Sequence, residues 1–167
     1  VRENHKFDLR KLNLWLRSSS SNFEKVISVK QFVGGQSNPT FVLFFENQEN
    51  LILRKKPPGK LLPSAHAIER EYKVQKSLEN SNVPCPKMIE ICEDSSVIGT
   101  PFYIMNIIQG RVFDSILDIE EKDGRKTYYL ELVRMLANLH NVDFSLINLE
   151  GFGKIGNYVN RQINRWE

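Results

Sequence analysis

The chain has 167 residues, 41% hydrophobic and 26% charged, the balance of a folded domain with a real core rather than of a disordered or fibrous chain. Its formal net charge of +3 is spread along the sequence without a basic block, so no nucleic-acid partner is expected. No apolar run approaches the length of a membrane span, and two cysteines, Cys85 and Cys92, without a histidine cluster argue against a zinc site or disulfide framework and for a reducing, intracellular compartment.

Asp8 is placed to cap a helix over Leu9 to Arg17, whose apolar stripe is Leu9, Leu12, Trp15 and Leu16. After the polar break Ser18 to Asn22, Val26 to Val33 alternates as a strand, with Val26, Ser28, Lys30 and Phe32 on one face and Ile27, Val29, Gln31 and Val33 on the other. Gly34-Gly35 ends it. Thr40 to Glu46 reads as a second strand, Asn47 to Asn50 as a turn, and Leu51 to Lys56 as a third strand stopped by Pro57-Pro58-Gly59. Strands joined this tightly predict an antiparallel meander.

Ser64 is the expected cap of a helix running to about Glu79, with Ile68, Tyr72, Gln75 and Leu78 on one face and Glu71 beside them. Val83-Pro-Cys-Pro86 breaks it. Lys87 to Glu93 and Phe102 to Gln109 read as two more strands around a turn at Asp94 to Gly99, the second apolar enough to be central. Beyond Gly110 the pattern becomes helical: Lys122 to His140, a loop over Asn141 to Gly156, and Tyr158 to Trp166. This is an α+β layout. The expected divisions are an N-terminal helix and linker at 1–22, a five-stranded lobe at 23–109, and the start of a helical lobe at 110–167. The N-terminus shows no signal-peptide pattern, and both ends have the look of a piece of a longer protein.

The chemistry gathers between Gln31 and Glu71. Glycine turns expose backbone N–H groups that can hold phosphate, and Gly34-Gly35 lies between two strands with the Ser37 hydroxyl nearby and Asn38 placed to stabilise the turn. An ordinary hairpin is the other reading of that turn. Ile52, Arg54 and Lys56 share one face of their strand, where an aliphatic side chain can cover an adenine and a cation two residues on can reach its phosphates. Glu71 on the next helix could hold Arg54 in place, preorganised for phosphate. A solvated strand end, and a surface neighbour of Gln75 or Arg70, are the plainer readings of Arg54 and Glu71.

Phe32-Val-Gly-Gly-Gln-Ser-Asn-Pro-Thr, the run from Leu51 to Tyr72, Gly99-Thr-Pro-Phe-Tyr-Ile-Met and Leu136-Ala-Asn-Leu-His resemble the aminoglycoside phosphotransferase family, which has a protein-kinase-like fold. The likeness is strongest to the phosphotransferase-like domain that precedes the dehydrogenase in acyl-CoA dehydrogenase family members ten and eleven. It implies a kinase-like N-lobe, a five-stranded antiparallel sheet plus one helix, followed by the first helices of a truncated C-lobe. It implies that Gly34, Gly35, Ser37 and Asn38 cover phosphates, that Arg54 contacts the α/β-phosphates, and that Glu71 is its partner. Met105, Asn106 and Ile107 would be the hinge whose backbone binds adenine, with Asn106 where an acidic residue is common. His140, ending its helix, is expected to be packed.

The resemblance implies ATP and Mg2+ as cofactors and a small-molecule hydroxyl as acceptor, here of a hydroxylated acyl substrate, in a mitochondrial or peroxisomal setting. No catalytic residue or metal ligand is assigned in this stretch. The family's His-Gly-Asp loop does not occur, and the aspartates after Gly110 are Asp114, Asp118, Asp123 and Asp143, none in such a context. The chain alone is therefore expected to be inactive, with the metal ligands beyond Glu167. The alternative is a degenerate kinase-like module that binds nucleotide, or docks a dehydrogenase, without catalysis. Open apolar faces at Leu136 and Ile163 should make the 167-residue chain self-associate. Light scattering should then show species larger than a monomer, and a monodisperse monomer would refute this.

Overall fold

The computed structural model describes residues 1–19, 23–33, 38–59, 66–113, 115, 118–119, 122–154 and 156–166. In chain order the elements are α1 (Leu9–Ser19), β1 (Val26–Gln31), β2 (Thr40–Phe45), β3 (Leu51–Lys55), α2 (Ile68–Leu78), β4 (Met88–Cys92), α3 (Ser95–Ile98), β5 (Phe102–Asn106), α4 (Lys122–His140) and α5 (Tyr158–Trp166). The strands form one sheet in the order β1-β2-β3-β5-β4. Every neighbouring pair is antiparallel, as the short connections require for β1-β2 and β2-β3, while β3 and β5 pair although α2 and β4 lie between them in the chain. The α+β architecture expected from the sequence is the one observed.

Register decides what each face carries. Arg54 on the central strand β3 lies opposite Thr40 of β2 and Tyr103 of β5, and Ile52 lies opposite Val42 and Met105. Those six share one face, on which α2 packs through Ile68 and Tyr72 against Tyr103, Met88, Ile91 and Met105. The other face holds the larger core, Phe41, Leu43, Leu51, Leu53, Phe102 and Ile104. Helix α1 closes it, with Leu12 and Leu16 fully buried. Asp8 caps α1 by accepting the Arg10 N–H at 2.8 Å. Asn13 then exchanges hydrogen bonds with both backbone groups of Val26, fixing the helix to β1.

Four local expectations are corrected. The alternation of β1 is interrupted by a bulge between Val26 and Ser28, so Val26 and Val29, three residues apart, both reach the core. The helix expected from Ser64, which lies outside the described residues, begins at Ile68 with Ala67 at its N-cap. His66 just before it has φ 56°, a left-handed conformation that no helix can continue through. The turn at Asp94 to Gly99 winds into α3, capped by Asp94 and closed by Gly99 at φ 88°. Strands β1 and β5 stop at Gln31 and Asn106, short of the expected Val33 and Gln109, the last pairs of their ladders being Gln31 with Phe41 and Asn106 with Leu51.

Beyond β5 the helices are open. Leu136 and Ile163 are 49% and 48% exposed, and Trp166 is exposed as well. The loop after α4 touches α2: the Arg70 guanidinium lies 4.0 Å from the Phe152 ring centroid and donates to the Phe152 carbonyl at 3.2 Å. Cys85 and Cys92 are both free thiols. Among the described residues, no helix is long and apolar enough to cross a membrane.

One charge sits on the wrong side of the sheet. Lys55 is 2% exposed, on the face of the larger core, with its Nζ 5.3 Å from the Phe7 ring centroid and no ion-pair partner among the described residues. Burial holds its amine below the ordinary lysine value of 10.5. Between that lowered folded value and 10.5 the unfolded chain binds more protons, so stability rises with pH through this window. Lys55→Met should raise stability at neutral pH by about 1 kcal/mol and flatten that alkaline rise. Urea denaturation across neutral to alkaline pH checks both, and a loss of stability in the variant would contradict them.

Candidate functional site

The site is built on the α2 face of the sheet. β3 holds Arg54 in mid-sheet, and the first turn of α2 brings Glu71 over it. Arg54 Nε donates to Glu71 Oε2 at 2.9 Å. The side chains of the pair are 27% and 33% exposed, so its Coulombic worth is modest, about 1 kcal/mol. Its larger effect is orientation. A second ion pair, Lys56 Nζ to Glu69 at 2.5 Å, ties the end of β3 to the same helix turn.

Glu71 accepts more than Arg54. Asn38 Nδ2 donates to Oε1 at 2.8 Å, and the Tyr103 hydroxyl donates to Oε2 at 3.1 Å. Arg54 is held in turn at its Nη1, which donates to the Asn38 carbonyl at 3.2 Å and to Thr40 Oγ1 at 2.9 Å. Asn38 is 6% exposed, and its Oδ1 lies 3.0 Å from His66 Nδ1. Arg54, Glu71, Asn38, Thr40, Tyr103 and His66 thus form one connected polar group. Tyr103, 1% exposed, has its phenol pushed up to about 12, chiefly by burial and secondarily by the Glu71 carboxylate.

The sequence-predicted residues divide as follows. Asn38, Arg54 and Glu71 are together. The Asn38 side chain reaches Glu71 and His66. Glu71 takes Arg54 and not the plainer partners: Gln75 reaches only its backbone carbonyl, and Arg70 turns to Phe152. Ile52 is 5% exposed and faces Met105 across the β3–β5 pair. The Asn106 N–H is taken by the Lys87 carbonyl at 3.0 Å, whereas Ile107 lies past the last paired residue, with its backbone outside the ladder. Gly34, Gly35 and Ser37 lie outside the described residues. His140 is exposed at the end of α4 rather than packed, because the last turns of α4 are themselves uncovered.

Tyr103, Thr40 and His66 are the members that sequence reasoning missed. The first two follow from strand parity with Arg54 once the β2-β3-β5 order is known. No periodicity signals His66, whose position depends on a left-handed backbone. Among the described residues, no group of three His, Cys, Asp or Glu side chains is arranged to hold a metal ion.

The profile of the phosphotransferase enzyme family (APH) matches residues 28–167. Acyl-CoA dehydrogenase family member 11 of Pongo abelii is 43% identical over 167 residues, covering 97% of this chain and 21% of that protein. Acyl-CoA dehydrogenase family member 10 of Mus musculus is 46% identical over 137 residues, covering 81% of this chain and 13% of its own length. A crystal structure of a Ralstonia eutropha protein assigned as an aminoglycoside phosphotransferase superposes with a TM-score of 0.79 at 42% identity, over 96% of this chain and 46% of the other. The chain thus spans about a fifth or less of the length of these two relatives and under half of the structural neighbour.

Tyr103→Phe keeps the ring and removes the donor to Glu71. Because the folded phenol titrates near 12 rather than 10, the hydroxyl's contribution to stability is lost as pH climbs through that interval. A tyrosinate difference titration between wild type and Y103F should show the missing step near 12, with a stability loss of about 1 kcal/mol at neutral pH. A missing step at 10 would show that Glu71 and burial do not act on this phenol.

Proposed function

The chain belongs to the phosphotransferase enzyme family, and from that membership we propose that it forms the nucleotide-binding part of an ATP-dependent enzyme that phosphorylates a small-molecule hydroxyl. One observation carries the reading. Of the five N–H donors of the Arg54 guanidinium, Nε and Nη1 are engaged by Glu71, Asn38 and Thr40, while Nη2 has no partner among the described residues. A guanidinium oriented from within and open at its outer edge suits an α/β-phosphate oxygen. Arg54 would hold those phosphates, Glu71 would keep its aim, and Gly34, Gly35, Ser37 and Asn38 would cover them. Ile52 and Met105, neighbours on one face, would support the adenine, with the backbone at Asn106 and Ile107 along its edge.

ATP, when bound, supplies the phosphoryl group. Transfer also needs an orienting carboxylate and carboxylate-held Mg2+. The reading assigns both to residues beyond Glu167. The acceptor is read as a hydroxylated acyl compound and the fused or docked partner as an acyl-CoA dehydrogenase domain, on the strength of the relatives' names alone. A module that binds nucleotide without transfer is the competing outcome.

Calorimetric titration of the full-length protein with ATP, beside Arg54→Ala, tests this. Wild type should bind, and the variant should lose roughly ten- to a hundredfold in affinity, the worth of a charge-assisted contact. Absence of binding in both would remove the nucleotide reading. Binding without phosphate transfer to any hydroxyacyl acceptor would favour the non-catalytic module.

A further inference from the structure

We propose that His66 is a positioning residue of this site, setting affinity for the nucleotide's triphosphate through Asn38 and Glu71. The proposal rests on the nucleotide-binding reading above. It begins from hydrogen-bond direction. The Glu71 carboxylate can only accept, so the Asn38 amide must turn its Nδ2 toward Glu71 and its Oδ1 toward His66. Oδ1 can also only accept, so His66 Nδ1 must carry the proton. The chain of donors runs His66 Nδ1–H to Asn38 Oδ1, then Asn38 Nδ2–H to Glu71 Oε1, with Arg54 Nε–H arriving on Oε2. The neutral ring is therefore fixed as the Nδ1–H tautomer.

The backbone gives the second observation. His66 has φ 56°, a conformation that a residue with a Cβ adopts at a cost, and it stands immediately before α2, the helix that carries Glu71. Its carbonyl accepts the Ile68 N–H at 2.9 Å, so the same residue that orients Asn38 also sets the start of α2. A strained residue whose side chain bridges the end of the β1–β2 connection to the helix start is placed to hold Arg54's partners at fixed separation. His66 touches neither Arg54 nor, in this proposal, the nucleotide. Its effect passes through Asn38 and falls on the phosphates alone.

The experiment uses the full-length protein with His66→Ala, His66→Asn and His66→Gly, titrated with ATP and with adenosine. Asn tolerates the left-handed backbone and presents a donor at the same number of bonds from Cα, so H66N should bind ATP within about twofold of wild type. H66A should weaken ATP roughly five- to tenfold, the worth of one hydrogen bond, and leave adenosine unchanged. H66G relieves the backbone but lacks the donor, so it should weaken ATP similarly while its thermal midpoint stays equal or rises. Imidazole nitrogen shifts in wild type should report the Nδ1–H tautomer. If wild type binds ATP and H66A binds it equally well, or loses ATP and adenosine in equal proportion, the role is refuted. An Nε2–H tautomer refutes it independently, even if H66A fails to fold. A wild type that binds no ATP overturns the nucleotide reading itself, and this role with it.

Discussion

Two carboxylate oxygens on Glu71 receive donors from three different parts of the chain: Arg54 from β3, Tyr103 from β5, and Asn38 from the residues before β2. Each partner alone would leave the side chain free to swing. Together they determine its position, and because Glu71 sits in the first turn of α2, they also determine how that turn lies over the sheet. The constraint works in both directions. The helix brings the acceptor, and the acceptor orients the cation. Removing any one donor leaves a partly buried oxygen with less compensation, which is why this polar group is expected to respond as a unit rather than as a sum of pairs.

The sheet makes the arrangement possible by separating two kinds of environment. One face is apolar and closed by α1, with Leu12, Leu16, Phe41, Leu53, Phe102 and Ile104 almost wholly removed from water. The other face carries the polar group on a smaller apolar base of Ile68, Met88 and Tyr103. Alternation along β3 sends Leu51, Leu53 and Lys55 to the first face and Ile52 and Arg54 to the second. Lys55 is the exception to that separation. Its amine is buried beneath Phe7 with no anion beside it among the described residues, a cost the large core around it can absorb.

Much of this is legible in the sequence, for identifiable reasons. The strands and the α1 and α2 stripes are periodic, and their turns are short, so the antiparallel sheet follows. The pairing of Arg54 with Glu71 follows from strand parity and the next helix. The bulge in β1 is not legible, because one inserted residue leaves composition unchanged while shifting every face beyond it. The helix start is misread because Ser64 is a good cap by type, whereas the stop is set by a backbone angle at His66. Tyr103 looks like core in an apolar strand, and it is core by burial. Only the non-sequential β3–β5 pairing shows that its hydroxyl meets Glu71.

The choice of arginine at position 54 then acquires a physical reason. A lysine has one nitrogen, and the donors that orient it are on the same atom as those that would meet a ligand. A guanidinium separates these tasks in space: Nε and Nη1 face the protein, and Nη2 has no partner among the described residues. Orientation is paid for once, by Glu71, Asn38 and Thr40, and it persists whether or not an anion arrives. Lysine at this position would have to give up one set of contacts to make the other, or share its charge between Glu71 and a phosphate. The extra acceptors around Arg54, the Asn38 carbonyl and Thr40 Oγ1, have no use for a single ammonium that is already on Glu71. They are explained if the cation is a fork held by two of its prongs.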